Sequence, residues 1–392
     1  MRTAIVCGSG IAGLAAAIGL ARHGWSVDVY ERSRSVREIG AGIFIKGNAQ
    51  RVLWDFAVAD QIRRDGIVLR EARTLDQNGV LLQRRLLRDA TVIWNAKREH
   101  VIRALYQRAV ALGARIHTDA TVESIDPGGS VSISGRSLRA DLIIAADGVH
   151  SRARHMLGLD RPVTASRSGA TRLLVPRTEH DAGDFVREFW SGQLRIGLCP
   201  CSPSDLFGYF IAPLDDERGT RVPIDKEYWS ARFPALAAEG FFERARAAEA
   251  VHHPYPLVRT RSWVKGSVVL LGDAAHALPP TLGQGAGLSL MNALLLADYV
   301  SSKADLGDAL AAWQHDWRWV SDRTQLWSRR YDWITSEWPK AAYPLRKIVI
   351  WAIGKSSRFN NYMRVADRVD APGRRLLPPA FIIAPLKEEA SR

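Results

Sequence analysis

The chain opens with apolar runs separated by a turn rich in glycine. Residues 3–7 (TAIVC) are almost entirely apolar, which predicts a buried strand, and residues 26–30 (SVDVY) predict a second strand. Between them, Ile11 to His23 repeats apolar residues at helical spacing and is rich in alanine. The pattern therefore predicts a strand–turn–helix–strand unit at the start of the chain.

The regular alternation of strand and helix stops after this unit. A β-like stretch covers about Val68 to Trp94, and a helix is predicted from Lys97 to Leu112. Residues 165–260 then alternate short β-like runs with turns, which predicts a mostly antiparallel sheet with one face toward a core and one toward a cavity. A helical stretch rich in tryptophan follows from about Asp305 to Trp338, and we expect it to pack across the back of the molecule.

Composition narrows the class of protein. The chain has 392 residues, of which 47% are hydrophobic and 24% are charged, as in soluble globular proteins, and this length favours two domains. The formal net charge of +13 favours anionic ligands. Because the basic residues are scattered and no nucleic-acid-binding motif occurs, we expect small anionic ligands and no nucleic acid. No apolar run of about 18 residues is present, so no stable membrane insertion is expected.

The cysteines indicate the compartment. Cys7, Cys199 and Cys201 are too few for a disulfide framework, which is typical of a cytoplasmic protein. Cys199 and Cys201 lack a second Cys or His pair at matching spacing, so we expect strand residues there and no metal site. Arg2 and the apolar run after it imitate a signal peptide, but the regularly spaced glycines favour a folded unit.

The first turn carries Gly8, Gly10 and Gly13 in the pattern G-x-G-x-x-G. Between a strand and a helix, Gly8 allows the tight turn, Gly10 lets the backbone approach a pyrophosphate, and Gly13 lets the helix pack on the strand. The helix amino terminus presents N–H groups to the phosphates, and Glu31, after the second strand, would accept ribose hydroxyls. These features predict a dinucleotide site but do not distinguish NAD from FAD.

Two later turns repeat the combination of an apolar strand, a glycine and an acid. Asp147 and Gly148 follow one such strand, and Gly272 and Asp273 follow another. Open α/β sheets bind ligands at the carboxyl ends of their strands, which is where both turns lie. Asp273 can accept a hydroxyl proton from a sugar alcohol, and Gly283 to Gly287 can present backbone N–H groups to an anionic ring or phosphate.

In their order and spacing, the three turns resemble those of the single-component FAD-dependent aromatic hydroxylases of the para-hydroxybenzoate hydroxylase type, over about residues 1–335. That resemblance implies FAD as the cofactor, and NADH or NADPH and O2 as co-substrates. In that family the reduced flavin adds O2 at C4a, and the hydroperoxide formed transfers one oxygen atom to an electron-rich ring. The implied substrate is a small anionic hydroxylated aromatic or pyridine ring, which is hydroxylated with or without opening of the ring.

The resemblance also implies which residues hold FAD. The first turn would hold the ADP part, the Asp147 turn would serve both FAD and the passage of nicotinamide, and the Asp273 turn would hold the ribityl chain and pyrophosphate. Arg98 would lie on the phosphate–ribityl side, and residues 280–287 would lie by the ring system. The implied cofactor-binding residues are Gly8, Gly10, Ile11, Ala12, Gly13, Glu31, Arg32, Gly42, Ile43, Arg98, Val122, Asp147, Gly148, Gly272, Asp273, Pro280, Gly283, Gly285, Ala286 and Gly287.

Four further segments resemble one group within that family, the 2-methyl-3-hydroxypyridine-5-carboxylate and 5-pyridoxate oxygenases, whose members hydroxylate and open a pyridine ring. The segments are residues 40–43 (GAGI), Arg172 to Arg177 (RLLVPR), Ala212 to Asp225, and the run from 284–287 (QGAG) to Asn292-Ala293. The chain departs from the group at Phe207, where the group has a tyrosine. It departs from many other relatives at Asn292, where they carry an acid.

The pattern and the resemblance together predict an α/β (α+β) fold. A Rossmann-like FAD-binding domain is interrupted by a mostly antiparallel β-sheet substrate domain and followed by a helical C-terminal region. The predicted bounds are residues 1–70, 97–165 and 262–335 for the FAD-binding domain, 71–96 and 166–261 for the substrate domain, and 336–392 for the C-terminal helical or tail region.

Arg172 and Arg195 are the candidate residues for binding an anionic substrate. Both lie in β-like runs, and an inward-facing guanidinium pairs bidentately with a carboxylate or phenolate. A solvent-facing position remains the alternative for each. Phe207, Tyr209 and Pro280 are further candidates for the wall of the substrate cavity.

No residue is predicted to be a catalytic acid or base, because the cofactor performs the chemistry. His276 lies in a turn that we expect to pack against the cofactor, and His252 and His253 are expected on the surface. We expect a monomer or a homodimer. Three alternatives stay open: a salicylate- or nitrophenol-type decarboxylating or denitrating hydroxylase, an FAD-dependent reductase of the same fold, and a basic binding protein without enzyme activity.

Overall fold

A six-stranded sheet joins strands from three distant parts of the chain. The computed structural model describes residues 1–36, 41–88, 91–163, 165–342, 345, 348–349, 352 and 365–368. In spatial order, the strands of this sheet are β20 (Val264–Lys265), β21 (Val268–Leu270), β12 (Leu142–Ala145), β1 (Thr3–Cys7), β2 (Ser26–Tyr30) and β8 (Arg115–His117). All neighbours are parallel except β20 and β21.

The register of this sheet brings the three predicted turns to one edge. Cys7 at the end of β1 pairs with Tyr30 on one side and Ala145 on the other, and Ala145 pairs with Leu270. The four strands therefore end side by side, as ligand-binding edges of parallel sheets do. The predicted α/β sheet, interrupted and later resumed, is confirmed by this topology.

A second, seven-stranded sheet is almost entirely antiparallel. Its strands, in spatial order, are β18 (Ala250–Pro254), β14 (Ser168–Pro176), β17 (Asp205–Pro213), β16 (Leu194–Pro200), β15 (Phe185–Ser191), β5 (Glu71–Asp76) and β6 (Leu81–Leu86). Only β15 and β5 run parallel. One face packs on three short helices through a core that includes Leu173, Phe210, Trp229 and Phe241. The other face is left for a cavity.

The remaining strands form small sheets. They are β3 (Gly42–Ile45), β7 (Ile93–Lys97) and β4 (Ile67–Leu69) in one sheet, β9 (Val122–Asp126), β10 (Ser130–Ile133) and β11 (Arg136–Arg139) in a second, and β13 (Asp160–Arg161) with β19 (Arg259–Thr260) in a third. Residues 93–96 therefore pair with β3 and β4, although the predicted substrate domain ran to residue 96. The reason is that β7 is buried and continues directly into the helix that starts at Arg98.

The helices include the three predicted over Ile11 to His23, Lys97 to Leu112 and Asp305 to Trp338, together with others, most of which the sequence pattern did not indicate. They are α1 (Ile11–Arg22), α2 (Gly47–Asp55), α3 (Ala59–Asp65), α4 (Arg98–Ala111), α5 (Arg152–Met156), α6 (Lys226–Arg232), α7 (Pro234–Ala238), α8 (Phe241–Ala247), α9 (Asp273–His276), α10 (Gly285–Ser302), α11 (Leu306–Ser336) and α12 (Val365–Arg368). Within the described part of the chain, 3-10 turns cover Glu179–Asp181, Pro280–Leu282 and Lys340–Ala342. Among the described residues, no helix is long and apolar enough to cross a membrane.

The long helix α11 connects the two large sheets. It begins where the Asp305 side chain accepts a hydrogen bond from Asp308 N, which caps the helix. Trp313 is fully buried against Trp263 beside the six-stranded sheet. At the other end, Ser336 accepts a hydrogen bond from Arg195 of the seven-stranded sheet. Gly40 and most of the predicted tail, 336–392, lie outside the described residues.

Candidate functional site

A cavity of about 2580 Å³ lies between the edge of the six-stranded sheet and the open face of the seven-stranded sheet. Sites for drug-sized ligands occupy about 300–1000 Å³, so this cavity has room for an extended cofactor and a substrate together. The two walls differ in construction: one is made of backbone turns, and the other of side chains on strands.

The three turns of the first wall pack directly on one another. Gly8 has a φ of +108°, and a Cβ there would lie 2.4 Å from the carbonyl oxygen of Ala146, next to Asp147. Gly272 has a φ of +64°, and a Cβ there would lie 2.6 Å from Cβ of Ala12. Both positions need glycine because the backbone is left-handed and a second segment lies against it. The turns thus form one surface.

Thirteen predicted cofactor residues line the cavity. They are Gly10, Ile11, Ala12, Arg32, Gly42, Ile43, Arg98, Gly148, Asp273, Pro280, Gly283, Gly285 and Ala286. The other predicted cofactor residues are not part of the lining: they are Gly8, Gly13, Glu31, Val122, Asp147, Gly272 and Gly287. Val122 of β9 pairs with Ile133 of β10, whereas the glycines support the lining residues from behind.

Glu31 is held by the first turn. Its Oε2 accepts hydrogen bonds from Ser9 N at 2.9 Å and Ser9 Oγ at 2.8 Å, and its Oε1 accepts one from Ser33 N at 2.9 Å. Burial opposes ionisation, but these hydrogen bonds outweigh it and lower the pKa of Glu31. A carboxylate oxygen has two lone pairs, so Oε1 keeps one for a further donor.

The centre of the cavity holds three charged side chains that act on one another. Desolvation raises the pKa of the Asp273 carboxyl, and the positive charges of Arg98 and Arg172 oppose that rise. Among the described residues, the Asp273 carboxylate receives no hydrogen bond. An acceptor facing the cavity suits a hydroxyl donor, and Gly10 at the start of α1 leaves open space for a phosphate. The Asp273 acceptor and the open backbone at Gly10 therefore fit the hydroxyl and phosphate groups of a dinucleotide such as FAD.

The second wall is built from residues that pair across neighbouring strands. In its central row, Arg172 of β14 pairs with Tyr209 of β17, Tyr209 pairs with Gly197 of β16, and Gly197 pairs with Glu188 of β15. Paired residues point to the same face of a sheet. A Cβ at Gly197 would lie 1.9 Å from Cζ of Tyr209, so the ring of Tyr209 crosses over β16 and reaches Glu188.

Glu188 receives donors from three sides. Tyr209 Oη donates to Oε2 at 2.6 Å, Trp190 Nε1 donates to Oε1 at 2.5 Å, and Arg195 Nη1 lies 3.7 Å from Oε1. Burial, together with the charge of Glu188, raises the pKa of Tyr209 well above its ordinary value. Tyr209 therefore keeps its proton and donates a hydrogen bond to Glu188, so its oxygen can only accept a hydrogen bond from a ligand.

The two predicted substrate arginines differ in their partners. Among the residues that the structure describes, Arg172 forms no hydrogen bond and no ion pair, although it lines the cavity. Arg195 also lines the cavity, but it is only 2% exposed, pairs with Glu188 and donates from Nη2 to Ser336 Oγ at 2.7 Å. Arg172 is therefore available to an anion, whereas Arg195 is already neutralised.

Phe207 and Tyr209 lie on the cavity face as predicted, and Pro280 lines the cavity from the turn side. Phe207 also joins the two walls, because a Cβ at Gly42 would lie 2.5 Å from the Phe207 ring. Glu188 is not among the residues predicted from the sequence. The signal that could have revealed it is Gly197, a glycine inside a buried strand, which marks the close approach of another group.

The structure also shows the environments of the three histidines discussed from the sequence, His276, His252 and His253. Burial lowers the pKa of His276 to about 4, and its Nε2 lies 3.0 Å from Asn292 Nδ2. His276 is outside the cavity lining, which fits a packing role. His253 is exposed, as predicted, but it lines the cavity. His252 is half-buried, with Nδ1 3.0 Å from Thr171 Oγ1, so it lies only partly at the surface.

Comparison with known proteins gives consistent matches. Residues 1–303 match the family described as FAD binding domain. A 2-heptyl-3-hydroxy-4(1H)-quinolone synthase from Mycobacteroides abscessus is 34% identical over 364 residues, which cover 90% of this chain and 94% of that protein. An enzyme of the same name from Pseudomonas aeruginosa is 29% identical over 306 residues, 75% of this chain and 80% of that protein.

A solved structure matches over nearly the whole chain. The tetrameric form of 2-methyl-3-hydroxypyridine-5-carboxylic acid oxygenase is 32% identical, with a TM-score of 0.83 over 94% of this chain and 97% of that one.

Proposed function

Because the chain belongs to the FAD binding domain family and is an FAD-dependent monooxygenase, we propose that it uses NADH or NADPH and O2 to hydroxylate a small anionic aromatic or pyridine ring that carries a hydroxyl group. The observation that carries this proposal is the central row of the seven-stranded sheet. It places an unpaired guanidinium, Arg172, beside a hydroxyl acceptor, the oxygen of Tyr209, on the cavity wall.

The turn wall would hold FAD. In this proposal Gly10 and the start of α1 bind the pyrophosphate, Glu31 accepts from the ribose through its open Oε1 lone pair, and Asp273 accepts from the ribityl hydroxyls. Pro280 and the turn 283–287 would flank the ring system. When bound, FAD supplies the activation of O2 at the expense of NADH or NADPH.

The strand wall would hold the substrate. Arg172 pairs with the carboxylate or phenolate, and the substrate hydroxyl donates to Tyr209, whose own proton points to Glu188. A proton can then pass from the substrate to Tyr209 as the Tyr209 proton passes to Glu188, which leaves a more electron-rich ring. Phe207 covers the junction between the two walls and helps to exclude water.

A quinolone bearing an alkyl chain is a second candidate substrate. Two relatives are named for a 2-heptyl-3-hydroxy-4(1H)-quinolone product, and a monooxygenase would form its hydroxyl from O2. In this chain, Leu82 and Leu86 of β6 line the cavity, and the two residues are 49% and 46% exposed. The strand wall therefore ends in an apolar margin. That margin could cover a chain on an aromatic ring.

A substrate screen tests the proposal. Purified protein loaded with FAD is assayed for oxidation of NADH and of NADPH with 2-methyl-3-hydroxypyridine-5-carboxylate, salicylate, 4-nitrophenol and 2-heptyl-4(1H)-quinolone. We expect at least one anionic hydroxyaromatic to accelerate oxidation and to yield a product containing one oxygen atom from 18O2. Accelerated oxidation that releases only hydrogen peroxide would instead support the reductase alternative, and acceleration by the quinolone alone would favour the second candidate.

We expect Tyr209→Phe to lower kcat/KM for a phenolic substrate about 100-fold when the pH is below the pKa of that substrate. Above that pKa the loss should shrink, because the substrate then arrives ionised and needs no proton acceptor. The matched control is Tyr255→Phe, which removes a hydroxyl from the same cavity that forms no hydrogen bond to described residues. A loss that is independent of pH, or equal in both variants, contradicts the role of Tyr209.

A further inference from the structure

The short helix α12 returns to the cavity after the chain has left α11. It packs on α2 and α11, and Ala366 within it is 1% exposed. Asp367 is also buried, yet it is one of the residues that line the cavity. A segment that sequence analysis assigned to a C-terminal tail region therefore supplies a carboxylate to the site.

Asp367 belongs to a chain of buried hydrogen bonds. Asn48 Nδ2 donates to Gln284 Oε1 at 3.1 Å, and Gln284 Nε2 donates to Asp367 Oδ1 at 2.9 Å. Asn48 and Gln284 are each 2% exposed. Gln284 lies between Gly283, which has a φ of +59°, and Gly285, which starts α10. The chain of bonds therefore passes through the turn that faces the cavity.

The chemistry of the three side chains determines which group donates and which accepts in each hydrogen bond of the chain. An amide can turn either its oxygen or its nitrogen toward a neighbour, whereas an ionised carboxylate only accepts. Asp367 therefore selects the orientation of Gln284 in which Nε2 faces α12 and Oε1 faces Asn48. Lys46 Nζ, which donates to Leu282 O at 2.5 Å, holds the other end of the same turn.

We propose that Asp367 is a positioning residue for FAD. Asp367 acts through Gln284 to hold the turn 283–287 in the shape that receives the flavin ring. This inference rests on the placement of the ring system given under the proposed function. It assigns to α12 a role in retaining the cofactor, beyond the packing of a terminal segment.

The first test compares FAD binding by three full-length variants, titrated through flavin fluorescence without substrate. Asp367→Ala is expected to raise the Kd for FAD about tenfold, because Gln284 loses the acceptor that orients it. Asp367→Asn keeps an oxygen that can accept from Gln284, so its Kd should stay within about threefold of the wild type. Val365→Ala is the matched control on α12: it lowers thermal stability without changing the Kd.

Exchanging the amide and the carboxylate between Gln284 and Asp367 tests the hydrogen bond between these two residues. Gln284→Glu places a carboxylate against Asp367 and should weaken FAD binding and alter the visible circular dichroism of bound flavin. Adding Asp367→Asn supplies an amide that donates to the new carboxylate, so the double variant should bind FAD more tightly than Gln284→Glu alone.

Three results overturn the proposal: wild-type affinity in Asp367→Ala, equal loss of affinity in Val365→Ala, and no recovery in the double variant. The titration involves no turnover, so failure of the proposed hydroxylation leaves its result unaffected.

Discussion

Gly10→Ala is expected to abolish tight FAD binding and to leave the apoprotein folded. Gly10 has a φ of −69°, which alanine adopts readily, and apart from its chain neighbours no atom of the described residues lies within 4 Å of a Cβ built there. The open space is the part of the cavity next to the first turn of α1, where the pyrophosphate must approach the backbone. We expect the Kd for FAD to rise at least about 100-fold, since the methyl group would occupy that space.

Gly13→Ala provides the contrast. A Cβ at Gly13 would lie 1.9 Å from the carbonyl oxygen of Gly8, so α1 must move away from the turn. We expect this variant to lose about 3 kcal/mol of folding stability, measured as a lower melting temperature of the apoprotein. Gly10→Ala should melt within a degree or two of the wild type. Unchanged FAD affinity in Gly10→Ala would refute the placement of the pyrophosphate.

Local patterns were sufficient for the turn wall. The strand before Gly8, the helix after it and the acid after the next strand all lie within 31 residues, so short-range periodicity predicts them. The later turns could be placed at the same sheet edge because parallel strands end together. Of the twenty cofactor residues that the family resemblance implies, thirteen line the cavity, and most of the others support them from behind.

The strand wall depends on register, which sequence periodicity does not determine. Alternation can place Glu188 on one face of its strand, but it cannot show that Gly197 and Tyr209 lie opposite on the next two strands. The same limit explains β7, whose partners are β3 and β4. Asp367 lies 83 residues from Gln284, and a single hydrogen bond over that distance has no periodic signal.

The whole chain has an excess of positive charge, but some of the arginines in the cavity are paired with carboxylates. The chain carries +13, yet two of the described arginines that line the cavity are paired with carboxylates: Arg195 with Glu188, and Arg73 with Glu71. Arg172 differs from these because burial lowers the pKa of its guanidinium and no described carboxylate pairs with it. A partly buried cation without an ion-pair partner is costly, and an anionic ligand would offset that cost.

Arg172→Leu should therefore raise KM for a carboxylated substrate about 100-fold, through loss of a charge-assisted contact, and leave the melting temperature of the apoprotein nearly unchanged. Arg195→Leu should do the reverse. It leaves Glu188 without its cation, which costs about 3 kcal/mol of stability and lowers the melting temperature before any effect on KM is considered.

Measuring both KM and FAD binding also shows whether Arg172 binds the substrate or the cofactor. Arg172 lies close enough to Asp273 for their charges to interact, so it borders the proposed ribityl site as well as the substrate row. If Arg172→Leu weakens FAD binding and leaves KM unchanged, the arginine belongs to the cofactor, and the substrate anion needs another partner. If KM rises for carboxylated substrates but not for the uncharged quinolone, Arg172 recognises the negative charge itself, because loss of shape alone would affect both.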